Sequence, residues 1–153
     1  MAEVTGPRFP VSVAAVVVDN ERRVLAVQRR DGQYKGRWEL PGGRLEPDET
    51  LYEGVVREVL EETGLTVEPG ALTGVYQNIV RGTVALVFRC HIVAGEPRPS
   101  EETSKVEWLT PTEVRKWMTE SYAIRLLDGL KDGRPAIRVH DGTSLLPANI
   151  RRN

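Results

Sequence analysis

From Gly43 to Leu65 the chain reads GRLEPDETLYEGVVREVLEETGL, a stretch that dictates a capped helix with glutamates crowded near its end. Thr50 followed by Glu53 makes a capping box, in which each side chain bonds the other residue's backbone N–H, so the helix begins there. Gly64 stops it. With successive residues ~100° apart, Tyr52, Val56, Val59 and Leu60 fall on one side. Glu58, Glu61 and Glu62 fall on the other, because residues three and four apart are neighbours on a helix surface. Like charges at that spacing cost roughly 0.2–0.5 kcal/mol per pair, and Arg57 offsets only part of this. A solvated acidic face would explain the cluster taken alone. The preceding Pro41-Gly42-Gly43 turn changes the balance, since two residues without Cβ let backbone carbonyls approach a ligand closely. A backbone oxygen with three carboxylates is an oxygen-rich shell suited to Mg²⁺ or Mn²⁺, which would cancel the repulsion and hold phosphate oxygens. The segment reads as a cation platform.

Around it, β-branched runs predict strands over residues 11–19 and 24–29, joined as a hairpin through the turn at residues 20–22. Further strands are expected near residues 38–40, 72–78, 83–94 and 105–109, with an edge strand over 135–140. Helical spacing adds helices over 111–118 and 122–130. Residues 31–36 and the Pro- and Glu-rich stretch 95–103 read as loops. This pattern predicts an α/β chain of the α+β type, with a mixed sheet and helices packed on its faces. One domain is expected over 1–153, with 1–8 and 141–153 as loosely held termini.

Charge narrows the partners. Lys and Arg total 21 against 22 Asp and Glu, a formal net charge of -1. No basic excess is available for a nucleic-acid backbone or an anionic membrane, so neither is expected as a partner. Any bound phosphate must be met by local groups or by metal ions. The lone cysteine, Cys90, lies in an apolar run and reads as a buried structural thiol. His91 and His140 have no metal-ligand partner at a suitable spacing. The N-terminus shows no signal-peptide pattern, and the longest apolar run, residues 13–18, is too short to span a bilayer. A cytoplasmic location is the expectation.

The same segment resembles the Nudix box, G-x5-E-x7-R-E-U-x-E-E-x-G-U with U a bulky aliphatic residue. Gly43, Glu49, Arg57, Glu58, Val59, Glu61, Glu62, Gly64 and Leu65 fill every specified position. The resemblance implies a Nudix fold, an α/β/α sandwich, and Mg²⁺-dependent hydrolysis of a phosphoanhydride bond in a nucleoside diphosphate linked to another moiety, with Mn²⁺ as a substitute ion. It implies metal binding by Glu58, Glu61 and Glu62, helped by a carbonyl of Gly42 or Gly43. Glu49 and Arg57 would form an orienting pair. Many members add a glutamate from a loop before a Trp-bearing strand, here SEETSKVEW, where Glu102 fits best and Glu101 next. The catalytic group is drawn from Glu58, Glu61 and Glu102; Glu61, Glu62 and Glu102 are all candidates for the general base, with Glu61 favoured.

Arg29, at a strand end, matches a phosphate-contacting position of the family. Tyr34 and Trp38, just before the Gly-Gly turn, are candidates to stack on a base, with core packing the competing role for Trp38. Subfamily marks for particular substrates are absent. Ile79 and Val80 stand where ADP-ribose hydrolases carry a proline, and Pro147-Ala148-Asn149 lies in the tail rather than before the last helix. A small-molecule nucleotide is therefore the expected partner, its identity open. Homodimers are frequent in the family, and the C-terminal strand offers an edge for pairing. The rival reading is a catalytically silent domain that senses a nucleotide; such domains usually lose the box glutamates, which are all present here.

Overall fold

The computed structural model describes residue 6 and residues 8–149. In chain order the elements are β1 (Val11–Val17), β2 (Val24–Arg29), β3 (Trp38–Glu39), β4 (Gly42–Arg44), α1 (Leu51–Thr63), β5 (Thr66–Asn78), β6 (Thr83–Ala94), β7 (Thr103–Leu109), α2 (Pro111–Trp117), α3 (Glu120–Gly129), β8 (Ala136–His140) and β9 (Leu145–Leu146). A six-stranded sheet runs β4-β1-β6-β5-β8-β9, and a three-stranded sheet runs β3-β2-β7. The large sheet is mixed: β1 lies parallel to β6 and β5 parallel to β8, while β4 and β9 pair antiparallel.

β1 explains the layering. Val13, Ala15 and Val17 face one way and pack with Val55 and Val59 of α1. Ala14 and Val16 face the other way, into a core shared with Val114, Ala123 and Leu126 from α2 and α3. Side chains alternate across a strand, so a strand apolar at every position is covered on both faces. That is the α/β/α sandwich expected of the sequence. No described helix is long and apolar enough to cross a membrane.

Several expectations need correction. β1 and β2 do not form a hairpin; they join different sheets and touch through a single bridge, Val18 to Val24. β2 instead pairs with β3 and β7, and its residues meet those of β1 through side chains in both cores rather than through a backbone ladder. β8 is not an edge, since β9 closes it off. Of the termini expected to be loosely held, residues 1–5, 7 and 150–153 lie outside the described residues. Residues 141–149 are tied down: Ser121 Oγ donates to the Gly142 carbonyl at 2.9 Å, and the Leu145 N–H donates to Glu120 at 3.1 Å.

Candidate metal and nucleotide site

The helix forms as its sequence demands. Thr50 and Glu53 make the reciprocal capping box, and Gly64 ends α1 with φ 78°. The buried face is not simply the apolar side of Tyr52, Val56, Val59 and Leu60. The buried arc comprises Gly54, Val55, Glu58, Val59, Glu62 and Thr63, so the two glutamates share it with the valines, while Tyr52 and Leu60 stay about half exposed. The cause is tertiary. β4 lies beside the acidic edge of the helix and covers it.

Pro41-Gly42-Gly43 is also not a free turn, because Gly42 and Gly43 pair with Ala14 and Val13 as strand β4. Both glycines are forced by close approach. A Cβ on Gly42 would stand 2.4 Å from the Val13 carbonyl oxygen, and one on Gly43 would stand 2.6 Å from the Glu58 carboxylate. The missing side chain at Gly43 is the slot that Glu58 occupies.

Glu62 is 2% exposed. Its carboxylate accepts the Gly42 N–H at 3.0 Å, and no Lys or Arg ion pair reaches it among the described residues. Burial pushes this carboxyl up to about 9, with Glu58 and Glu102 adding to the rise, while the Gly42 N–H and the charge of Arg29 oppose it. Glu58 is raised too, by burial first, with Arg57 pulling the other way. A buried carboxylate without a counter-charge is costly, and the group resolves the cost by taking up either a proton or a cation.

Arg57 is the hub of this surface. Its Nε and Nη2 donate to both oxygens of Glu49 at 2.6 and 2.9 Å, a bidentate pair that holds the Glu49 carboxyl down at about 2. Nη1 donates to Glu58 at 2.9 Å and to Glu61 at 3.3 Å. The orienting pair inferred from the resemblance is thus present in the structure, and one guanidinium also aligns two of the other carboxylates.

The loop at 95–102 is docked on the end of α1. The Arg98 N–H donates to the Thr63 carbonyl at 2.8 Å, and Thr103 Oγ1 donates to the Glu62 carbonyl at 2.8 Å. These bonds bring Glu101 and Glu102 to a groove of about 490 Å³ that Glu61 also lines. Glu58 and Glu62 therefore form an inner pair against Gly42 and Gly43, and Glu61 and Glu102 an outer pair on the groove. Among the described residues no three acidic groups converge on one point, since Arg57 holds Glu58 and Glu61 aside and Gly42 holds Glu62. The donors are all hard oxygens and one is buried without a cation, which suits a divalent ion of the magnesium class.

A second pocket, of about 210 Å³, opens on the other side of Gly42 and Gly43. Arg29 and Tyr34, two of the candidate nucleotide contacts, line it. Trp38 does not. It packs against Trp117 with ring centroids 5.8 Å apart, and it lines a separate shallow surface with Gln28 and Lys105. Being one residue from Glu39 on a strand turns it to the opposite face.

Glu39, which does line the pocket, was missed in the sequence reading, as were Arg37, Tyr122 and Arg125. Arg37 lies between the rings of Tyr34 and Tyr122, 3.8 and 4.4 Å from their centroids, and pairs with Glu39. Tyr122 and Arg125 come from α3, more than 50 residues beyond the end of the box, so no local spacing could have revealed them.

The NUDIX domain model matches residues 8–128. A MutT-like protein of Streptomyces ambofaciens is 56% identical over 142 residues, spanning 93% of this chain and 90% of its own. An ADP-ribose pyrophosphatase of Methanocaldococcus jannaschii is 32% identical over 104 residues, 65% of this chain and 62% of its own. Among solved structures, a NUDIX hydrolase from Nitrosomonas europaea is 27% identical with a TM-score of 0.75, covering 90% of this chain and 80% of that one. A complete box on a capped helix, a two-sided mixed sheet and these similarities agree: this chain belongs to the NUDIX hydrolase family.

Proposed function

We propose that this chain hydrolyses a phosphoanhydride bond in a nucleoside diphosphate linked to a further moiety, with Mg²⁺ as its ion and Mn²⁺ as a substitute. Glu62 supports this most strongly: its carboxylate is buried against the Gly42 N–H with no basic side chain to neutralise it. Glu58, Glu61, Glu62 and Glu102, with a carbonyl of Gly42 or Gly43, would hold the ion. When bound, it would offset diphosphate charge and acidify a coordinated water.

The chain's own groups do the rest. Arg57 pairs with Glu58 and Glu61 and aligns both carboxylates. Arg29, at the mouth of the nucleotide pocket, contributes positive charge for a phosphate oxygen. Glu61 is the proposed general base; its side chain is 50% exposed and faces the open groove, where water has access. The water oxygen bonds to phosphorus as its proton passes to Glu61. The bridging P–O bond breaks, and its electron pair leaves with the departing phosphate oxygen.

A phosphate- and pyrophosphate-release screen over nucleoside triphosphates, nucleotide sugars and dinucleotides tests this. Wild type with Mg²⁺ is expected to turn over at least one of them. Glu61→Gln is expected to lose about 10²–10⁴-fold, the usual share of a positioned base. EDTA is expected to abolish turnover without unfolding the protein. Equal inactivity of wild type and Glu61→Gln on every substrate would instead support a nucleotide sensor.

A further inference from the structure

Arg125, on α3, is a buried cation without an anion. It is 8% exposed, and none of the ion pairs among the described residues includes it. Its Nε donates to the Ser121 carbonyl at 3.2 Å, and its Nη2 lies 3.2 Å from His140 Nε2. His140 cannot serve as a counter-ion. The Gly142 N–H faces its other nitrogen at 3.0 Å, so the ring is flanked by donors and stays neutral. That leaves Nη1 of Arg125 with no protein partner. Every fully buried side-chain nitrogen and oxygen among the described residues has one, so Nη1 is not sealed in. It reaches the pocket that Arg125 lines beside Gly42 and Gly43.

We propose that Arg125 reads the base, donating through Nη1 to a ring carbonyl oxygen, so that guanine, cytosine or uracil nucleotides are preferred over adenine nucleotides. This rests on the nucleotide-hydrolase reading and names what the same site selects. The alternative acceptor, a phosphate, is expected at Arg29, which lines the same pocket and is less buried than Arg125. Ala14, Leu40 and Ala85 add apolar wall to that pocket, and the Glu39 carboxylate there is paired with Arg37. Apolar walls instead favour a flat ring, and the guanidinium is already flanked by Tyr122 and Tyr76, 4.7 and 5.1 Å from their centroids.

At about 210 Å³ the pocket takes a ring system rather than a whole nucleotide, which leaves the phosphates to the acidic platform on the far side of Gly42 and Gly43. Adenine presents ring nitrogens but no projecting oxygen. Those nitrogens accept too, but they are recessed in the ring, and a guanidinium held at Ser121 and His140 cannot shift to follow them, so the poorer bond should separate the bases by about tenfold.

The test uses GTP, CTP, UTP and ATP with Mg²⁺ on wild type, Arg125→Lys and Arg125→Met, alongside calorimetric binding of the four monophosphates. For wild type, kcat/KM for at least one carbonyl-bearing base is expected to exceed that for ATP by about tenfold. In Arg125→Met that advantage should collapse, chiefly through KM, with a smaller change for ATP. Arg125→Lys keeps the charge but loses the fork and should recover only part of the preference. If Arg125→Met does not fold, as melting would show, the lysine variant carries the comparison. Wild type indifferent to the base, or losses equal for all four nucleotides, would overturn the proposal. If no nucleotide is hydrolysed, the function proposed above fails, while the monophosphate affinities still judge Arg125.

Discussion

Replacing Glu62 by Gln is expected to cut turnover by about 10³-fold, roughly 4 kcal/mol of barrier, while making the metal-free protein more stable at alkaline pH. The two effects have opposite signs if, as proposed, the carboxylate serves a cation: its burial without a basic partner costs the metal-free fold. Glu62 is 2% exposed and has no basic partner. Its carboxyl is pushed up to about 9 from an ordinary 4.5.

The sign for stability follows from linkage. The folded chain binds this proton more tightly than the unfolded chain. The stabilisation is therefore complete below about pH 4.5 and is lost as pH rises through about 9. In EDTA the melting temperature of wild type should fall between pH 5 and pH 9, and Glu62→Gln should flatten that fall because its amide never ionises. Mg²⁺ or Mn²⁺ should restore wild type at high pH by binding only the folded form, and should do little for the variant. Parallel pH profiles for the two proteins, or full turnover by Glu62→Gln, would show that this carboxylate is not a metal ligand. A solvated acidic face, the simplest explanation of the cluster taken alone, would show neither effect; Glu58 and Glu62 are instead buried.

Gly43→Ala is the second large effect. The added methyl would sit 2.6 Å from Glu58 Cδ and Oε1, and 2.7 Å from Oε2. Neither side gives way easily. Gly43 is fixed to Val13 across β4 and β1, and Glu58 is held by Arg57 at 2.9 Å. Overpacking of this kind typically costs about 1–3 kcal/mol, a drop of several degrees in melting temperature for a domain of this length. Displacing Glu58 should also lower turnover about 10²-fold or more, as small misplacements of positioning groups do.

The double variant Gly43→Ala/Glu58→Ala separates these causes. Removing the carboxylate should recover most of the lost stability and none of the activity, a strong coupling between touching residues. If the melting losses of the two single variants simply add in the double variant, the slot described here is not what makes Gly43 a glycine.

Much of this was legible in the chain itself. The capping box at Thr50 and Glu53 and the Gly64 stop follow from residue types at fixed spacing on one helix, the Glu49–Arg57 pair is what the family resemblance implies, and the structure contains all of them. Trp38, Arg37 and Arg125 show the limit. Trp38 stands one residue from Glu39 on a strand, so a small difference in registry decides which of them meets the pocket beside Gly42 and Gly43. Arg125 meets Arg37 in that pocket only because α3 packs across the sheet.

By itself the sequence determined the local, periodic features: where α1 starts and stops, which strands are buried on both faces, and that acidic groups gather beside two glycines. These depend on interactions between residues a few positions apart, which any chain with that spacing makes. Only the tertiary structure decided that β4 covers the acidic edge of α1 and buries Glu62, that the loop before β7 brings Glu102 to the groove that Glu61 lines, and that Arg125 joins Arg29 and Arg37 in the pocket beside Gly42 and Gly43. Each of those depends on desolvation and on contacts between distant segments, and the cost of burying a charge exists only once the chain has closed around it.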